Sequence, residues 1–161
     1  MILDKTYLGS TEIEKIYLGS NVVYEVGGSS NIILNGTFDD DTNLTLDAAR
    51  FAVAGGTLNF NRTGSGGALF ELSQDIVDGD EFTVTFDISN ITNAGARFLM
   101  HAGATTSGEL MQTYVPYLDG VGHTFNYTHS GVTRSQVLMT ASTSGSGGEY
   151  SFDNFTMVKT N

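Results

Sequence analysis

In Glu81-Phe82-Thr83-Val84-Thr85-Phe86-Asp87-Ile88-Ser89, apolar and polar side chains alternate without a break. A period of two fits a strand with one buried face, and it does not fit an amphipathic helix, whose apolar positions recur at three and four residues. The turn signal Asp78-Gly79-Asp80 precedes this run. Similar runs recur at Thr57 to Asn61, Ala68 to Ser73, Arg97 to Ala102, Leu110 to Tyr117, His123 to His129, Gln136 to Ala141 and Tyr150 to Val158. Twenty glycines and a single proline, with many Ser, Thr and Asn, punctuate the runs. The pattern predicts an all-β chain, folded as a two-sheet sandwich. In the last run the apolar face changes between Phe152 and Phe155, which predicts a bulge at Asp153-Asn154.

The 161 residues are 40% hydrophobic, enough for one main domain with a sizeable core. The chain has no cysteine, so disulfides and thiolate metal sites are excluded. Eighteen acidic against seven basic side chains leave a net charge of −11, which repels phosphate backbones and anionic lipid. Neither a nucleic-acid nor a membrane partner is expected. No run reaches the length of a membrane span, and the N-terminus does not read as a signal peptide.

A second pattern opens the chain. Lys5, Tyr7, Leu8, Gly9 and Ser10 recur ten residues later as Lys15, Tyr17, Leu18, Gly19 and Ser20, and Ile13 is answered by Val23. Each copy is a short β-prone segment ending in a Gly-Ser turn, so the pair predicts a small meander or hairpin pair. Such a unit buries little surface alone. Tyr7, Leu8, Ile13, Ile16, Tyr17, Leu18, Val23 and Tyr24 therefore need a partner surface, and they are the candidate docking residues of an arm. Gly27-Gly28-Ser29-Ser30 reads as a flexible linker. The organisation expected is an arm at 1–26, a linker at 27–30 and a jelly-roll sandwich at 31–161. The alternative is that the hairpins complete the same sandwich.

Two resemblances follow from these residues. The phrase Ile13-Glu14-Lys15-Ile16-Tyr17-Leu18-Gly19-Ser20-Asn21-Val22-Val23-Tyr24-Glu25 resembles a module found at the ends of tailed-bacteriophage structural proteins. Asn31-Ile32-Ile33-Leu34-Asn35-Gly36-Thr37-Phe38-Asp39 at one end and Phe152-Asp153-Asn154-Phe155 at the other resemble the framing phrases of carbohydrate-binding-module jelly rolls. The first resemblance implies a virion protein. Together with the chain's length, it leads us to expect a capsid decoration (cement) protein on the capsid surface, made in the host cytoplasm. Its partners would be the major capsid protein and copies of itself as a homotrimer. The alternative is a tail-associated adhesin or carbohydrate-binding module that recognises a host surface glycan.

The second resemblance also implies a structural Ca²⁺ held around Asp39 and Asp153, with no other cofactor required. Asp39-Asp40-Asp41-Thr42-Asn43 echoes an EF-hand but has Leu44 where the turn needs Gly and Arg50 where Glu is needed. For a glycan, the candidate platform is His101 with Tyr114 and Tyr117, because sugar rings stack on flat aromatic faces and the chain has no Trp. His101, His123 and His129 read as surface or rim residues. His123 and His129 stand roughly 20 Å apart along a strand, too far to share one ion. No nucleophile elbow, catalytic cysteine or His-Glu-x-x-His run is present. The carboxylates Glu71 and Asp87 sit on outer strand faces, and no enzyme activity is expected.

Overall fold

The computed structural model describes residues 7–8, 11–12, 15–18, 21–25, 31–61, 65–92, 96–114, 120–143 and 149–161. The chain divides into two compact units, Met1–Ser30 and Asn31–Asn161. In the first unit, β1 (Tyr7–Leu8) pairs with β2 (Thr11–Glu12), and β3 (Lys15–Leu18) pairs with β4 (Asn21–Glu25). Each phrase of the repeat thus feeds an antiparallel pair. The second pair slips register between Ile16 and Tyr17, opposite Tyr24 and Val22.

The second unit is a sandwich of two five-stranded antiparallel sheets. Its strands are β5 (Leu44–Leu46), β6 (Phe51–Ala54), β7 (Thr57–Asn61), β8 (Ser65–Ile76), β9 (Glu81–Ser89), β10 (Ala96–Ala102), β11 (Glu109–Tyr114), β12 (Gly120–Thr128), β13 (Arg134–Thr143) and β14 (Glu149–Lys159). One sheet runs β11-β10-β13-β8-β5 and the other β12-β9-β14-β7-β6. Strand β9 carries the strict alternation: Phe82, Val84, Phe86 and Ile88 are buried and their neighbours are not. Tyr150 and Phe152 face inward before the β14 bulge, and Phe155 and Met157 after it. The register shift falls between Asp153 and Thr156, and Asn154 absorbs it with φ 50°.

The core lies between the sheets. The β12–β9–β14–β7–β6 sheet contributes most of its rings, and the facing sheet contributes Ala68, Ala102, Ala141, Met100 and Met139, small or adaptable side chains that fit around them. Phe86, Phe98 and Phe152 form its centre, with ring centroids 4.8–5.4 Å apart. The segment from Asn31 to Leu34 ties the sheets together: Ile32 N–H donates to the Met157 carbonyl of β14, and Leu34 N–H to the Glu71 carbonyl of β8.

Candidate functional site

The outer faces of the two sheets differ in chemistry. On the β12–β9–β14–β7–β6 face, polar side chains satisfy one another. Thr83 Oγ1 donates to Asn126 Oδ1 at 3.1 Å, Ser151 Oγ to Asn59 Oδ1 at 2.7 Å, and Asn154 Nδ2 to Asp87 Oδ2 at 2.7 Å. Asp87 Oδ1 also accepts from Gly122 N–H. A face knitted this closely has few free donors for a ligand.

The other outer face is mixed. Register places Leu110 of β11 opposite His101 of β10, His101 opposite Leu138 of β13, Leu138 opposite Leu69 of β8, and Leu69 opposite Thr45 of β5. One line of residues thus crosses all five strands. Leu138, Leu69 and the neighbouring Leu99 are half-buried, and Leu110 is 50% exposed. Leu138 lies down over Gly67, where an added Cβ would come within 3.2 Å of its methyl. One step along β13, Gln136 Nε2 donates to Glu71 Oε1, and Arg134 follows beyond a register shift, opposite Ile76 of β8. An apolar stripe bordered by polar side chains is the kind of surface that contacts a ligand's apolar face and its hydroxyl rim together.

A cleft of about 590 Å³ opens between the β5 and β6 edges, with Asp39, Asp40 and Asp41 beside Leu44, Leu46, Phe51 and Val53. Two of its acids are already engaged locally. Asp40 is held below the usual carboxylate range by the Thr42 N–H and hydroxyl, and Asp39 Oδ2 accepts from Thr37 Oγ1 at 2.9 Å. The opening phrase does meet the last strand, since Phe155 N–H donates to the Gly36 carbonyl at 2.9 Å. Asp153, however, stands opposite Asp87 and accepts from Asn154 N–H. Among the described residues no group of three His, Asp or Glu is placed to hold a metal ion.

The histidine reading needs correction. His129 is 1% exposed and His101 7%, so neither is a surface or rim residue. His101 Nδ1 lies 3.4 Å from the Gly108 carbonyl, under the turn that leads into β11. His129 Nε2 faces the Val132 carbonyl at 2.9 Å, and Nδ1 lies 2.8 Å from Glu109 Oε2 and 2.7 Å from the Tyr127 hydroxyl. Glu109 accepts in addition from the Tyr127 hydroxyl and from the Ser130 N–H and hydroxyl. Burial alone would raise the Glu109 carboxyl, but these bonds and the His129 charge hold it below its ordinary value. Burial, and then Glu109, push the Tyr127 hydroxyl up. This cluster joins edge strand β11 of one sheet to edge strand β12 of the other. Its members partner one another, and nothing in it is aimed at a ligand.

The platform His101, Tyr114 and Tyr117 is not assembled by the described residues. Tyr114 is the register partner of Phe98, three positions from His101, and its side chain and the whole of Tyr117 lie outside them. The arm residues Tyr7, Leu8, Ile16, Tyr17, Leu18, Val23 and Tyr24 have strand positions in β1, β3 and β4, but their side chains also lie outside the described residues, as does all of Ile13. Glu71 and Asp87 belong to the outer faces of different sheets. Sheets pack about 10 Å apart and both side chains point away from the interior, so this pair cannot flank one glycosidic bond, which needs carboxyls at most about 9.5 Å apart.

No protein-family model matches the chain, and no curated protein sequence does. Solved structures do match it. A CBM4 carbohydrate-binding module aligns at TM-score 0.52 and 13% identity over 68% of this chain and 88% of the module. The enzymatically active domain of tailspike protein 4 of bacteriophage CBA120 aligns at TM-score 0.50 and 12% identity over 81% of this chain and 21% of that one. A CBM61 module solved with β-1,4-galactotriose aligns at TM-score 0.48 and 14% identity, over 82% of this chain and 100% of the module. At such identities a likeness shows the fold: residues 31–161 form a jelly-roll β-sandwich of the kind carbohydrate-binding modules have.

Proposed function

We propose that the sandwich is a non-catalytic glycan-recognition domain and that residues 1–26 attach it to a tailed-phage virion, so that the chain acts as a tail-associated adhesin for a host surface polysaccharide. One observation carries this reading: the mixed outer face of the β11–β10–β13–β8–β5 sheet, where Leu110, Leu138 and Leu69, on the register line that passes through buried His101, border the Gln136–Glu71 pair. Sugars present apolar C–H faces and hydroxyl edges, and this face offers counterparts to both. Leucine in place of aromatic rings implies weak binding per site, which multiple copies on a virion would compensate. The attachment role rests on the N-terminal phrase and its likeness to phage structural modules.

The capsid-decoration reading, with a homotrimer bridging copies of the major capsid protein, draws on that same phrase, and no feature of the sandwich favours it. Affinity electrophoresis of the full chain through gels loaded with host-surface polysaccharide separates the two. Retardation that disappears in Leu110→Ser/Leu138→Ser, and persists in Thr83→Ala/Asn126→Ala on the opposite face, supports recognition by the mixed face. A chain that ignores every polysaccharide but binds stripped phage heads saturably would return the capsid role to first place.

A further inference from the structure

Among the described residues, Arg134 is a guanidinium without an acid partner. Among the described residues Arg50 is paired with Asp47 at 2.6 Å and Lys159 with Asp80 at 2.6 Å, whereas Arg134 makes no ion pair; the buried Nε of both arginines has no hydrogen-bond partner. With 18 acidic and seven basic side chains, a cation should find a carboxylate by chance alone. The local structure instead holds it apart. On the neighbouring strand β8, Arg134 stands opposite Ile76, neither Asp75 nor Glu71 forms an ion pair with it, and Glu71 accepts from Gln136. The Arg134 side chain packs over Gly103, where an added Cβ would lie 3.3 Å from both Cδ and Nη1. Gly103 has φ 117°, and its N–H donates to the Gln136 carbonyl, so the turn that makes room for the side chain is anchored to β13 itself. A groove of about 170 Å³ lined by Gly103, Ala104, Thr133, Arg134, Ser135 and Gln136 opens there, a volume suited to one sugar unit or less.

We infer that this groove receives the carboxylate of an acidic sugar unit on Arg134 while the rest of the glycan lies along the leucine stripe. The inference rests on the glycan reading and narrows it to one ligand class. A guanidinium presents a fork of donors that matches a carboxylate. Arg134 and Gln136 both line the groove, so one sugar unit seated there can meet both. The net charge of −11 adds a second restriction, because a uniformly charged polymer is repelled by the molecule as a whole. The ligand is therefore a heteropolysaccharide with a single uronic acid, or similar carboxylated sugar, among neutral units.

The test uses the full chain and a panel of bacterial heteropolysaccharides with one uronic acid per repeat, each beside its carboxyl-reduced form. The expected result is that an acidic polymer binds about tenfold or more tightly than its reduced form. Arg134→Gln should bring the two to parity with unchanged thermal unfolding, and Arg134→Lys should keep part of the preference. Equal or tighter binding of the reduced form, or a preference that survives Arg134→Gln, overturns the inference and leaves glycan recognition standing. Binding to no polymer in either form overturns glycan recognition, and this inference with it.

Discussion

The opening phrase shows how single residues hold the two ends of the sandwich together. Asn31 Oδ1 accepts from Met157 N–H at 2.8 Å and from Ile33 N–H at 3.1 Å, so one side chain links the first segment to the last strand. Asn35 takes a positive φ of 58°, and its Nδ2 donates to the Asp40 and Thr42 carbonyls, closing the acidic turn. Gly36 lies against the last strand so closely that an added Cβ would sit 1.9 Å from the Phe155 carbonyl oxygen. Gly36→Ala must therefore move the backbone, and should cost about 2 kcal/mol or more in urea unfolding. A loss under about 0.5 kcal/mol would show that the contact relaxes freely. Tyr150 is the opposite case. Its hydroxyl is buried without a partner among the described residues, and burial pushes its ionisation up. Tyr150→Phe removes an unsatisfied group, so its urea midpoint should match or exceed that of the parent chain; a clear drop would mean that the hydroxyl has a bound partner.

At the scale of elements, the cluster between β11 and β12 makes stability depend on pH. Asp80 carries a depressed carboxyl as well: burial opposes ionisation, but Lys159, the Val77 N–H and His129 outweigh it. Both Asp80 and Glu109 titrate lower folded than unfolded, so their contribution is full above their ordinary values of 3.8 and 4.5 and is lost as pH falls through the depressed ones. Urea midpoints should fall steeply below about pH 4.5, and Glu109→Gln should flatten part of that fall while lowering stability at pH 7. An unchanged slope in the variant would remove Glu109 from the account. The strands themselves were legible where alternation was strict: Thr57–Asn61 is β7 as its pattern predicts, and the β14 bulge lies where the apolar face changes. Strands β5 and β6 were not legible. Leu44-Thr45-Leu46 is too short, and Phe51-Ala52-Val53-Ala54 too short and too rich in alanine, to announce a strand, and pairing with β8 and β7 makes them strands.

Across the whole molecule, the packing of ring-bearing strands against small and flexible side chains carries the fold. Phe152 touches Phe86 at 4.9 Å and Phe98 at 4.8 Å between ring centroids, and it is fully buried. Phe152→Ala should cost about 3–5 kcal/mol in urea unfolding, and a loss below about 1 kcal/mol would place the core elsewhere. The candidate face left a faint trace in the sequence. Ala68-Leu69-Phe70, Phe98-Leu99-Met100 and Val137-Leu138-Met139 are unbroken apolar runs, unlike the alternating β9, and such runs mark strands with apolar side chains on both faces. By itself the sequence determined the all-β class, most strand positions, the bulge and the repeated N-terminal phrase, because period and turn chemistry are local properties of the chain. Only the tertiary structure decided that His129 and His101 are buried, that Glu71 and Asp87 face opposite ways, that five residues from five strands form one line, and that Arg134 stands without an acid among the described residues. Those facts depend on register and on the stacking of sheets, which join residues far apart in sequence and are set by the packing of the whole core.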